Sequence, residues 1–295
     1  MASARYRAAI PAQATGATLN DPDADCLIFA KPCADDLLVA QRGRERGATV
    51  IMDWCDAHLW RRAYRDLSAL AHRTTACTPW MAQLLTEDLG VPSVTVIPDP
   101  YELEEEPPHT TDAGRLFWFG HASNYEGLQR VRGLLDGFDL RVMSNVAGAI
   151  PWSMEGLREE LRRADVVVLP ETAPYKSANR AVEAIRMGCF VVAEPHPSLE
   201  AIPGIWVGSL REGVQWAQQH PQQCREQLTQ SQAFVREQYS PAHVANAWKT
   251  LWTELRSSWD VGISHGTGGP TSMGHEPPPT PISSQTCGRY RLSPA

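Results

Sequence analysis

The chain has 295 residues, 43% of them hydrophobic, and a formal net charge of −7. That length suits two ordinary domains or one large one, and the apolar content implies a packed core. The negative balance gives no support for a nucleic-acid partner, and no apolar run is long enough to span a bilayer, though peripheral membrane contact stays open. Seven cysteines, an odd number without a C-x-x-C pair, point away from zinc and redox motifs and toward reduced, mostly buried thiols. The opening Met1-Ala-Ser-Ala-Arg-Tyr-Arg7 lacks the apolar centre of a secretion signal, so a cytoplasmic protein is expected.

Apolar runs alternate with helical patterns along most of the chain. Cys26-Leu-Ile-Phe-Ala30 reads as a strand, 34–46 as a helix closed by Gly47, and Thr49-Val-Ile-Met-Asp53 as the next strand. A helix over 59–71, a weak strand at 74–78, a helix over 80–89 stopped by Gly90 and a strand at 94–98 complete the first half. The stretch from Asp99 to Asp112 mixes prolines with a carboxylate run. That composition makes a poor element, so a solvated linker is expected at 101–112, with an acceptor-facing acidic cluster as the alternative. The second half restarts with a strand at Arg115-Leu-Phe-Trp-Phe-Gly120, a helix over 126–135, a strand at 139–143 and a helix over 155–164. A solid apolar run from Asp165 to Glu171 gives way to a helical stripe over 175–188 and then to a strand at 189–193. A short strand at 205–208 and helices over 209–257 follow, and from 258 the Gly, Pro, Ser and Thr content predicts a disordered tail. Such alternation predicts an α/β fold of parallel, doubly wound sheets in two domains, 1–100 and 113–257.

Ligands of open α/β sheets bind beyond the carboxyl ends of the strands. Polar residues stand there in five places: Lys31; Asp53, Asp56 and His58; Gly120, His121, Ser123 and Asn124; Glu171 to Arg180; and Glu194 to Ser198. Their spread over both halves suggests an interdomain cleft. Plainer roles compete, since Asp53 and Asp56 suit helix capping and single histidines near strand ends are common. Projected at about 100° per residue, the 175–188 stripe puts Ala178, Ala181, Val182 and Ile185 on one face and Lys176, Arg180 and Glu183 on the other. Two cations in the first turns oppose the helix dipole unless an anion such as a phosphate sits there. The alternative is a solvated face with an internal Arg180–Glu183 pair. G-x-G-x-x-G, P-loop, G-x-S-x-G and H-E-x-x-H motifs are all absent from the sequence.

At these residues the chain resembles the GT-B glycosyltransferases, specifically the "group 1" retaining, nucleotide-sugar-dependent kind. The carrying blocks are Val94–Asp99, Trp118-Phe-Gly120, Ala164–Pro170, Lys176–Ala184, Gly188–Val192 and Tyr239-Ser-Pro241 before a terminal helix. The resemblance implies two Rossmann-like domains facing a cleft. A nucleotide sugar would bind the C-terminal domain as co-substrate, and an unknown acceptor a shortened N-terminal one, without a metal or further cofactor. Gly120, His121, Asn124, Tyr175, Lys176, Ser177, Asn179, Arg180 and Glu183 would line the donor, with Glu183 on its ribose hydroxyls. His58, Lys176 and Glu183 are the catalytic candidates, and Lys31, Asp53 and Asp56 stand on the acceptor side. The sequence departs from the family where Tyr175 replaces the first acid of E-x7-E, and where His121 and Asn124 replace an Arg and a Lys. The first strand of the N-terminal domain would lie before Met1. A glycosyltransferase is therefore expected, the alternative being a catalytically lapsed sugar-nucleotide-binding or interaction protein on the same scaffold.

Overall fold

A computed structural model describes residues 4–109, 114–262 and 292–293. The chain forms two compact units, one from 1–53, 58–74 and 245–295, the other from 54–57 and 75–244.

Strand β1 (Thr18–Leu19) pairs antiparallel with Leu292–Ser293. Strands β2 (Cys26–Ala30), β3 (Thr49–Trp54), β4 (Arg73–Ala76) and β5 (Val94–Val96) follow one another in a four-stranded sheet. β2 and β3 run parallel, in register from Cys26 opposite Thr49 to Ala30 opposite Asp53. Every residue of both strands is buried, which is why they read as unbroken apolar runs rather than as an alternation. The first helices end as their glycines predict. Ala34–Glu45 runs out at Gly47 with φ 86°, and Pro79–Leu89 at Gly90 with φ 64°. A single π-helical turn, Arg5–Ala9, continues into the helix Ile10–Thr15 and carries Arg7 into the interior of the first unit.

The second unit holds β6 (Arg115–Phe119), β7 (Asp139–Met143), β8 (Val166–Leu169), β9 (Phe190–Ala193) and β10 (Trp206–Val207), in the spatial order β10-β9-β8-β6-β7. All its pairings are parallel. Successive side chains alternate between two cores: Phe117, Phe119, Val167 and Leu169 face one, Leu116, Trp118, Val166 and Val168 the other. Each such side chain contributes roughly 1.5–3 kcal/mol of hydrophobic burial. The strand order reverses direction at β6 and β8, and the crevice beyond their carboxyl ends is where a doubly wound sheet takes its ligand.

Three local expectations are corrected. The helix expected to include Lys176 begins at Asn179, so Lys176 lies in the preceding loop. Ala181 to Arg186 are all buried, so the 175–188 stripe has no solvated face. The carboxylate run is not a loose solvated stretch either. Glu105 pairs with Arg186 and Arg236, and Glu106 Oε1 lies 2.8 Å from Arg162 Nη2. Backbone bonds from Glu106 N to Arg186 O (2.8 Å) and from His109 N to Gly188 O (3.1 Å) fasten the same segment along the Asn179–Arg186 helix. Residues 110–112 of the expected linker lie outside the described residues. So does most of the expected tail, although the last helix, Pro241–Gly262, extends past its predicted end.

Candidate functional site

β6 ends at Phe119 and β8 at Leu169, and the loops that leave them meet around Arg180. The guanidinium packs over the Trp118 indole, 5.9 Å from its centroid. Nη1 of Arg180 is shielded from solvent and has no hydrogen-bond partner among the described residues. Burial pulls its pKa down to about 10, which still leaves the group charged at neutral pH. A Cβ on Gly120 would stand 3.0 Å from the Trp118 ring and 3.7 Å from that Nη1, so the missing side chain keeps space open beside the cation. Leu169, Thr172, Ser177, Glu194 and His196 help to line a small cavity that includes Arg180.

The other cation is engaged. Lys176 Nζ lies 2.6 Å from Asp56 Oδ1. Ser177 Oγ and Asn179 Nδ2 both donate to Asp99 Oδ2, at 2.8 and 2.7 Å. Thr78, whose hydroxyl also caps the Pro79–Leu89 helix, donates to the Tyr175 carbonyl at 3.4 Å. From the far side Ser198 Oγ donates to the Lys176 carbonyl at 2.5 Å, and His196 Nε2 lies 3.1 Å from the Ala173 carbonyl. A carbonyl only accepts, so His196 carries its proton on Nε2 and Nδ1 accepts from Ser198 N. Burial lowers the His196 pKa and the Arg180 charge lowers it further, against the Ala173 hydrogen bond, keeping the ring neutral. The loop from Ala173 to Asn179 is thus fixed at several points while the Arg180 guanidinium keeps an open donor.

The remaining predicted residues are spread more widely. Glu183 is 1% exposed, and its two oxygens accept from the backbone N–H groups of Glu102 (2.8 Å) and Leu103 (3.0 Å). His121 is exposed, and its Nδ1 accepts from Ser123 N in the short 3-10 turn Ala122–Asn124. In the first unit, Asp53 is fully buried against Arg7, whose Nε donates to it at 2.9 Å, an ion pair rather than a helix cap. Asp56, the other candidate cap, is committed to Lys176. Lys31 takes a left-handed φ of 56° after β2. His58 packs edge-on against Trp60 and Tyr64, at 5.5 and 5.3 Å between centroids.

Sequence reasoning assigned no role to Thr78, Asp99, His196 or Ser198. Asp99 closed the Val94–Asp99 block, and His196 and Ser198 stood among the polar residues after β9, so position gave a signal for three of them. Thr78 gave none beyond its place before a helix.

No protein-family model and no curated protein matches the sequence. Solved structures do resemble it. A complex of Anabaena HepE with UDP and glucose aligns with a TM-score of 0.60 at 13% identity, covering 86% of this chain and 83% of that one. A complex of S. aureus TarM with fondaparinux, α-GlcNAc-glycerol and UDP aligns at 0.58 and 12% identity, covering 70% of this chain; the match spans 51%, about half, of the TarM chain. An α-glucosyltransferase with UDP-glucose and DNA containing an abasic site aligns at 0.55 and 10% identity, over 81% and 80% of the two chains. At such identities the likeness establishes architecture: the chain has the α/β GT-B fold that the family resemblance implied.

Proposed function

We propose that this protein is a glycosyltransferase that moves a sugar from a nucleoside-diphosphate donor to an acceptor not yet identified. The carrying observation is Arg180 Nη1, shielded from solvent and without a hydrogen-bond partner among the described residues, beside Gly120 at the switch point of the second sheet. A buried cation is costly unless an anion meets it, and a donor pyrophosphate supplies one. Three neighbours in fold were solved with UDP or a UDP-sugar, which supports that choice of anion. In this reading the donor belongs to 113–257 and the acceptor to 1–100, where Lys31 and His58 follow strands. Arg180, Lys176 and backbone N–H groups stabilise the departing diphosphate as charge develops on it, with no metal required. Glu183 reaches the donor ribose only with lone pairs left over from Glu102 and Leu103. Cys26, Cys33, Cys55, Cys77, Cys189 and Cys224 are not in disulfides, which suits a reducing cytoplasm. Among the described residues no helix is long and apolar enough to cross a membrane.

A second reading, a nucleotide binder without transfer activity, draws on the Lys176, Ser177 and Asn179 side chains being already committed to Asp56 and Asp99. Calorimetry with UDP, GDP, ADP and dTDP, followed by donor hydrolysis assays, separates the two. Binding that falls about ten- to a hundredfold in Arg180→Ala supports the site. Absence of binding to every nucleotide by the folded protein overturns it, and binding without any turnover favours the second reading.

A further inference from the structure

Lys176 and Arg180 are two cations of one short stretch in opposite states. Arg180 Nη1 has no partner among the described residues, whereas Lys176 Nζ sits 2.6 Å from Asp56 Oδ1. That pair is neither sealed nor fully solvated, at 32% and 19% side-chain exposure. The rest of the loop is fixed. The Tyr175 and Lys176 carbonyls are held by Thr78 and Ser198, and the Ser177 and Asn179 side chains by Asp99. The Lys176 side chain is therefore the part able to change partner without moving the backbone. Its ammonium is a point charge on a flexible stem, with no bidentate geometry to give up when it leaves a carboxylate.

We propose that Asp56 is an internal competitor for Lys176: resting on the donor reading of the Arg180 site, an arriving phosphate draws the ammonium away from Asp56, and the exchange breaks the Lys176–Asp56 pair. The change conserves the pairing of Lys176, because one anion replaces another on the same cation. A partly exposed ion pair is weak, so the exchange opposes binding modestly rather than blocking it. The sign that follows is unusual for a residue beside a binding site, since removing its carboxylate strengthens ligand binding.

Calorimetric titration of UDP into the wild type, Asp56→Asn, Lys176→Met and the double variant tests this. We expect Asp56→Asn to bind UDP about three- to fivefold more tightly. Lys176→Met should bind more weakly, and adding Asp56→Asn to Lys176→Met should gain nothing, since the effect passes through the ammonium. Asp56→Ser, which removes the carboxylate with less bulk, must shift affinity in the same direction. An unchanged or weakened affinity in a folded Asp56 variant overturns the exchange, as does an equal gain without Lys176, which would report simple repulsion between Asp56 and phosphate. If the wild type binds UDP and loses it in Arg180→Ala while Asp56→Asn is no tighter, the exchange alone fails. If neither wild type nor Asp56→Asn binds any nucleotide, the donor reading fails with it.

Discussion

Two arginines illustrate how the same side chain serves different ends. Arg7, 1% exposed, meets the fully buried Asp53, and its guanidinium lies 5.7 Å from the Trp248 ring centroid. Each charge there is the reason the other is tolerated. Arg7→Met should therefore cost about 3–5 kcal/mol by breaking the buried pair with Asp53, read as a lower urea midpoint. Arg180 Nη1 has no hydrogen-bond partner among the described residues. Arg180→Met should remove a desolvation penalty and raise Tm by about 2–4 °C while nucleotide affinity is lost. A stability loss in Arg180→Met as large as that in Arg7→Met would show that Arg180 serves the fold instead.

The Asn179–Arg186 helix depends on what surrounds it. Gly188, just past its end, has φ 78°, and a Cβ there would collide with the Pro107 carbonyl oxygen. Gly148 has a similar φ of 81° but open space around it. Gly148→Ala should thus cost about 1–2 kcal/mol, the conformational penalty alone, and Gly188→Ala clearly more; denaturant melts of the two compare them. Some of these ends can be read from sequence. Glycines after Arg46 and Leu89 marked helix ends because the αL turn is written locally. The solid runs 166–169 and 190–193 betrayed buried parallel strands for an equally local reason. The start of the helix was misplaced because the Ser177 and Asn179 side chains bond Asp99, some eighty positions earlier, and not the helix backbone. Likewise the acidic run read as solvated because its partners, Arg162, Arg186 and Arg236, are distant in sequence. Of the candidate site, the cationic stretch was legible from charge against the helix dipole. Which of its cations was already paired was not, since pairing is a tertiary fact.

For the molecule as a whole, two histidines set an acid limit. Burial lowers the pKa of both His72 and His196 from the ordinary 6.5, with the Arg44 and Arg180 charges adding to it. His72 Nδ1 accepts from Val50 N at 2.9 Å, a role only the neutral ring can fill. Unfolding frees both rings to bind protons near pH 6.5. Their stabilising contribution is complete above that pH and drains away as pH falls through the window beneath it. Tm should drop between about pH 7.5 and about pH 5.5, with His196→Asn showing a shallower decline; parallel slopes would exclude His196 from the effect.

The division of the chain carries a practical meaning for dissecting it. Because residues beyond 245 complete the unit that residues 4–53 begin, no single scission yields two self-sufficient fragments. A piece starting near residue 101 would take Trp248 away from beneath Arg7, leaving the amino-terminal piece without a wall of its own interior. Expressing either half in isolation calls for splicing the Pro241–Gly262 helix back onto the front segment, and residues 4–53 and that helix must find each other before the unit can close.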